Sequence, residues 1–330
     1  MASGRLQQKF HLQTSNMKGI CEMTNDIKSF SLNDCSKGNQ GYYRVLLQLF
    51  GFLGHGKSSF INTCKYVLED QEYNMYADVS NTFGGNTTAR ITYTLTKTLM
   101  LVDNRGCSKL DDYETGEIFA QLANLLPVDK EVEWSRGFEL TERIIKAEKL
   151  VKSSDFIFPI FVFSVKKGLQ PQEVPGIQQL LEFARDVTEI FPVVVLTHKT
   201  HGDVNDMERA FKNMGVEWLI SLENFTPEDH IRTKGRHEGV LKFFCEVIKD
   251  VQFRLERMGD PDEQREQRKL KVLRFISDRE VRNKLKEVAI EMRKKEQEIE
   301  LRREEELRKR LMQIISSSPP RSSSLSCIVL

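Results

Sequence analysis

The chain has 330 residues, 39% hydrophobic and 29% charged, enough for one packed domain with additional segments. Its 49 Lys and Arg against 48 Asp and Glu leave a formal net charge of +1, which gives no basis for the large basic surface of a nucleic-acid binder. No apolar run approaches the length of a membrane-spanning helix, no apolar signal region opens the chain, and the six cysteines contain no CxxC pair that would suggest a zinc site.

Residues 1–41 are polar and aperiodic and read as a flexible leader, loosely docked at most. From 42 to 258, apolar runs alternate with helix-like stretches, the pattern of an α/β domain built on a mostly parallel sheet. The first apolar run, Tyr43–Phe50, leads into Gly51-Phe-Leu-Gly54-His55-Gly56-Lys57-Ser58-Ser59, which fits GxxxxGK[ST] at every fixed position. The following residues, to Leu68, have helical spacing. Strand, glycine loop and helix together predict a phosphate cradle. Backbone N–H groups and the helix N-terminus face the phosphate oxygens, Lys57 reaches the β- and γ-phosphates, and the Ser58 hydroxyl ligates Mg²⁺.

Next comes Gly84-Gly-Asn-Thr-Thr-Ala89, followed by Arg90–Thr96, which alternates polar and apolar as a half-exposed strand does. Thr98-Leu-Met-Leu-Val-Asp103 follows after a tight break, so the two runs read as a hairpin with an antiparallel edge strand. In the Ras-like and translation-factor GTPase class, a threonine just before that edge strand closes on Mg²⁺ and the γ-phosphate, and Thr87 and Thr88 occupy this place. Asp103 at its strand end is placed to hold Mg²⁺ with Ser58 and Thr88, and the Gly106 N–H to meet the γ-phosphate. Lys57, Thr88 and Gly106 are therefore the expected catalytic positions. Cys107 stands where many GTPases carry a water-positioning glutamine, which predicts slow hydrolysis.

The buried run Phe191–Leu196 ends in Thr197-His198-Lys199-Thr200, where a GTPase commonly presents Asn/Thr-Lys-x-Asp to the guanine edge. Thr200 offers no carboxylate there, and Asp203 is the nearest acid after it. The last run, Trp218–Asn224, ends in Asn224-Phe225-Thr-Pro-Glu228, at a strand end that commonly walls the base. Thr197, His198, Lys199 and Asn224 are the expected base-side residues.

The phosphate loop, the Leu-Thr-His at a strand end and the Asn-aromatic-x-x-Glu after the last strand resemble the interferon-induced protein 44 family, over roughly residues 42–253. They resemble more distantly the immunity-associated and immunity-related GTPases. The resemblance implies a Ras-like P-loop domain that binds GTP, often with weak hydrolysis. The family shows Leu-Thr-His-x-Asp where this chain has Leu196-Thr-His-Lys-Thr200, so the base-reading acid is missing.

Residues 262–315 are densely charged and lack proline, which predicts one long helix. Val281, Leu285, Val288, Met292 and Ile299 trace a short heptad seam, with Lys295 at the missing core place. A helix folded back on the domain and a coiled coil pairing two chains both fit. Residues 316–330 read as a disordered tail ending Cys327-Ile-Val-Leu330, a prenylation motif that a final Leu directs towards geranylgeranyl. The full expectation is a GTP/GDP- and Mg²⁺-binding switch with slow turnover, cytoplasmic and held peripherally on the cytosolic face of a membrane through Cys327. Its homodimer forms through the nucleotide domain or the C-terminal helix, and it binds no nucleic acid. A nucleotide-binding scaffold without turnover and an ATP-binding P-loop protein are the alternatives.

Overall fold

The computed structural model describes residues 19–69, 71–79, 89–108, 110, 112–132 and 137–317. Thr87, Thr88 and Cys327 lie outside the described residues. The chain divides into two units, residues 1–277 and 278–330.

The first unit is α/β. Its strands are β1 (Arg44–Phe50), β2 (Ala89–Thr94), β3 (Leu99–Asp103), β4 (Lys130–Glu131), β5 (Asp155–Ser164), β6 (Val193–Thr197) and β7 (Leu219–Ser221). They form one sheet in the order β4-β2-β3-β1-β5-β6-β7. β3, β1, β5, β6 and β7 run parallel, and β2 is antiparallel to both of its neighbours. The expected hairpin is present, with Ile91 opposite Asp103 and Thr94 opposite Met100. The antiparallel strand is not the edge, as expected, but second from it. The Ala89 and Arg90 backbones pair with Glu131 and Lys130 of the two-residue β4.

Helices cover both faces, which is why the central strands are nearly continuous apolar runs. They are α1 (residues 19–29), α2 (Lys57–Glu69), α3 (Asp112–Leu122), α4 (Phe138–Ala147), α5 (Val174–Thr188), α6 (Val204–Asn213), α7 (Lys234–Leu255) and α8 (Pro261–Ser317). Successive strand residues alternate between two cores. Phe156, Phe158, Ile160 and Val162 of β5 join Phe60 of α2 and Phe243, Phe244 and Val247 of α7. Phe161 and Phe163 face the other way, towards Phe119 of α3, Leu180 of α5 and Phe211 of α6.

The leader expectation is corrected from residue 19 onward. Ile27, Phe30 and Leu32 are buried in the α2/α7 core, with Ile20 and Met23 packed against it. The Phe30 carbonyl accepts from the Thr98 hydroxyl at 2.8 Å. Ile20, Met23, Ile27 and Phe30 share one helical face, a sparse apolar stripe that the polar residues between them conceal.

The charged segment is helical as expected. Its first part belongs to the compact unit, which runs to Ser277 rather than ending near 258. Val272 and Ile276 are buried beside Phe119 and Leu180, and the buried Arg268 donates to the Ala123 carbonyl at 3.2 Å. In the second unit, Val281, Leu285, Val288, Met292 and Ile299 are all more than half exposed. Its helix carries i,i+4 pairs such as Glu291–Lys295 and Glu298–Arg302, both at 2.7 Å. No helix among the described residues is long and apolar enough to cross a membrane.

Candidate functional site

The glycine loop spans the turn from β1 into α2, at the carboxyl ends of the parallel strands, where open α/β sheets bind ligands. Gly51 has φ 138°, and a Cβ there would run into the Val162 carbonyl oxygen of β5. Gly56 has φ 89° and sits 3.2 Å, measured from where a Cβ would be, from both the Thr197 hydroxyl and the Asn224 amide nitrogen. Only glycine satisfies both the left-handed backbone and the close approach. α2 begins at Lys57, so the N–H groups of its first turn, Ser58 and Ser59 among them, lie at the end of the loop.

Lys57 is buried with its ammonium folded into the loop, donating to the Phe52 carbonyl at 3.0 Å and approaching the Gly51 carbonyl at 3.4 Å. Burial pushes its pKa down, while Asp103 opposes the shift. Ser58 Oγ donates to Asp103 Oδ2 at 2.9 Å, so the two expected Mg²⁺ ligands from β3 and α2 are in contact. Gly106 lies directly over the Lys57 ammonium, with 2.6 Å between Nζ and the place a Cβ would take.

The segment after Asp103 is clamped. Asn104 donates to Gln48 Oε1 at 2.9 Å and to the Leu49 carbonyl at 3.0 Å on β1. The fully buried Arg90 donates to Asn104 Oδ1 and to the Gln121 carbonyl, both at 2.9 Å, to Asn124 Oδ1 at 3.0 Å, and to the Leu126 carbonyl. Burial pulls its pKa down to about 9, offset in part by Asp155 and other acids. Cys107 N–H donates to the Gly51 carbonyl at 3.2 Å, and Leu53 N–H to the Cys107 carbonyl at 3.0 Å. Burial pushes the Cys107 thiol up to about 12, so it is no nucleophile. Arg105 is tied away, donating to the Val132 carbonyl at 3.0 Å.

His55 also serves the scaffold. Its ring packs against Phe163 and Phe52, with centroids 4.7 and 5.2 Å apart, and its Nδ1 accepts from the Ser164 N–H at 3.2 Å. Burial first, then the Lys57 charge, lowers its pKa to about 3. The unfolded chain takes up a proton near pH 6.5 that the folded chain refuses until about pH 3. Stability is therefore lost as pH falls through that window, by at most about 1.4 kcal/mol per pH unit from this group. Urea unfolding at pH 6.5 and pH 5 should show this slope, and His55→Phe should flatten it whatever its effect at neutral pH. An unchanged slope would show that His55 is not the group responsible.

The base-side residues divide. Thr197 is fully buried, and its hydroxyl donates to the His55 carbonyl at 2.9 Å, bracing the loop from β6. Asn224 Nδ2 does the same from beyond β7, donating to the Gly56 carbonyl at 3.2 Å. His198, at φ 54°, places Nδ1 within 3.1 Å of the Thr197 and Ser164 hydroxyls, and burial lowers its pKa. Lys199 is exposed. Asp203 caps α6, accepting from the Asp206 N–H at 3.0 Å, and so is already engaged. Thr200 donates both its N–H and its hydroxyl to Glu223 Oε2, at 3.1 and 2.9 Å.

Four residues of the site escape motif reasoning. Leu53 lies against Gly106, Arg90 anchors Asn104, Glu223 holds Thr200, and Arg236 braces the β7 exit. Arg236 donates to the Asn224 carbonyl at 2.6 Å and to the Glu223 carbonyl at 3.3 Å, with its guanidinium 4.1 Å from the centre of the Phe225 ring. Only Glu223, adjoining the Asn224 motif, has any sequence signal.

The chain matches no known family's sequence profile and no curated protein sequence.

Proposed function

We propose that this protein is a Mg²⁺-dependent guanine-nucleotide-binding switch with slow turnover, built on a Ras-like P-loop domain of the interferon-induced protein 44 type. The observation that carries the reading is the Ser58–Asp103 contact at the mouth of the glycine loop, with Lys57 beneath it. A hydroxyl and a carboxylate are the hard oxygen donors that Mg²⁺ takes alongside substrate phosphates and water. Ser58 and Asp103 would hold the ion, which would neutralise charge building on the phosphates. The loop's N–H groups and Lys57 bind the β- and γ-phosphates, and Gly106 presents its N–H to the γ-phosphate. Thr88, outside the described residues, is the expected further ligand of the ion. The strand order and the single antiparallel strand beside β3 support the Ras-like assignment. Cys327 carries a prenyl group that holds the protein on the cytosolic face of a membrane, and two chains pair through the nucleotide domain or the second-unit helix.

The experiment is titration with a fluorescent GTP analogue, with and without Mg²⁺. Wild type should bind, Mg²⁺ should tighten binding roughly tenfold or more, and Asp103→Asn should lose that increment while keeping the Mg²⁺-independent part. Absence of binding, or an intact Mg²⁺ effect in Asp103→Asn, would sink the proposal. Displacement by ATP as effective as by GTP would sink its guanine specificity.

A second reading, a nucleotide-binding scaffold without turnover, is favoured by one observation. Leu53 N–H is spent on the Cys107 carbonyl, and the Leu53 side chain fills the space over Gly106, 2.9 Å from where a Cβ would sit. This leaves an apolar side chain and a buried thiol where an attacking water needs a polar guide. Phosphate release in a single turnover, no faster than from Lys57→Ala, would favour the scaffold.

A further inference from the structure

Thr200 stands where the guanine-reading aspartate is expected, and the structure brings a different carboxylate to the same place. Glu223 leaves the end of β7, and its Oε2 accepts both the N–H and the hydroxyl of Thr200. Both hydrogen bonds that the Glu223 carboxylate accepts from described residues land on Oε2, which leaves Oε1 for a further donor. Its backbone is fixed by Arg236, and its charge is felt by the half-buried His198 next to the phosphate loop.

A second, independent observation lies one residue on. Asn224 is 6% exposed, and its Nδ2 is committed to the Gly56 carbonyl inside the loop. Its Oδ1 is buried and accepts from nothing among the described residues. A buried acceptor without a donor is costly unless a ligand supplies one. Two neighbouring acceptors at one strand end therefore call for a ligand edge rich in N–H donors. Guanine offers a ring N–H beside an exocyclic amine, whereas the corresponding edge of adenine has a bare ring nitrogen.

We infer that Glu223, oriented by Thr200, is the carboxylate that reads the guanine ring N–H and amine, with Asn224 Oδ1 as a supporting acceptor. This rests on the proposed nucleotide site and names how that site selects its base. Thr200 is then a positioning residue: it holds one carboxylate oxygen so that the other faces the base.

The test is a binding series with fluorescent guanosine, inosine, xanthosine and adenosine diphosphates on the full chain. Wild type should prefer guanosine over inosine, which lacks the amine, and over adenosine. Glu223→Gln keeps an acceptor oxygen for Thr200 but turns the base-facing oxygen into an amide donor, which suits a carbonyl and opposes an amine. It should weaken guanosine diphosphate by roughly tenfold to a hundredfold and strengthen xanthosine diphosphate, whose carbonyl replaces the amine. A merely structural role would weaken all four alike. Thr200→Val should erode the guanosine preference several-fold without creating one for xanthosine. If wild type binds none of the four, the proposed nucleotide site fails and this inference with it. If wild type binds guanosine diphosphate and Glu223→Gln leaves the order of preference unchanged, the inference alone is overturned.

Discussion

Gly51→Ala is expected to destabilise the protein by about 4 kcal/mol, the sum of a backbone conformation closed to L-residues and a collision with main chain. At φ 138° the residue lies where any Cβ is strained, and the atom it would meet is the Val162 carbonyl of the central strand β5. A flexible side chain could swing aside, but a carbonyl held in a paired, fully buried strand cannot. Domains are stable by about 5–15 kcal/mol in all, so this loss is a large share of the total. Gly54→Ala is the control. It also has positive φ, 71°, yet a Cβ there meets nothing within 4 Å, so only the left-handed cost of about 1–2 kcal/mol applies. Chemical denaturation of the two variants separates the causes. A Gly51→Ala loss no larger than that of Gly54→Ala would show that β5 yields and that the collision is relieved. The Gly51 carbonyl also accepts from Cys107 and lies near Lys57, so a shifted loop should weaken nucleotide binding as well.

The features legible in the sequence are those whose physics is local. The glycine loop depends on residues within one turn, and its spacing placed β1, the loop and α2 correctly. The β2–β3 hairpin was legible for the same reason. What failed to read through depends on distant partners. Arg90 occupies a polar position in an alternating strand and suggests a solvent-facing side chain, but carbonyls from the end of α3 and the loop after it collect its guanidinium, and it is fully buried. The central strand β5 carries Pro159, which offers no N–H to a ladder and weighs against a central position, yet it pairs with Gln48 of β1. The helix at 19–29 has too few apolar residues to stand out, because its partners lie on β-strands and α7 far along the chain. The surroundings of Thr200 were hidden for the same reason. The sequence offers Asp203 as the nearest acid after it, whereas the carboxylate that Thr200 meets is Glu223, 23 residues on and just past β7.

Lys57→Met should separate binding from stability more sharply than any other change. Losing the ammonium removes charge-assisted hydrogen bonds to two phosphates, which together correspond to roughly a hundredfold or greater loss of affinity. The ligand-free fold should be no less stable, and a gain is expected. Met has nearly the volume of Lys, and the native ammonium is buried against neutral carbonyls with its pKa depressed by desolvation. The sign of the pH dependence follows from that depression. Between the folded pKa and the ordinary value of 10.5, the unfolded chain holds a proton that the folded chain has shed. Wild-type stability therefore rises with pH through that window, and any advantage of Lys57→Met should be greatest below the folded pKa and shrink as pH approaches 10.5. Thermal melts of both proteins without nucleotide, at pH 7 and pH 9.5, measure this directly. A melting temperature for Lys57→Met well below wild type at pH 7 would mean that the hydrogen bonds to Gly51 and Phe52 outweigh the desolvation of the charge. The loop would then owe its shape to Lys57 rather than holding Lys57 in readiness for phosphate.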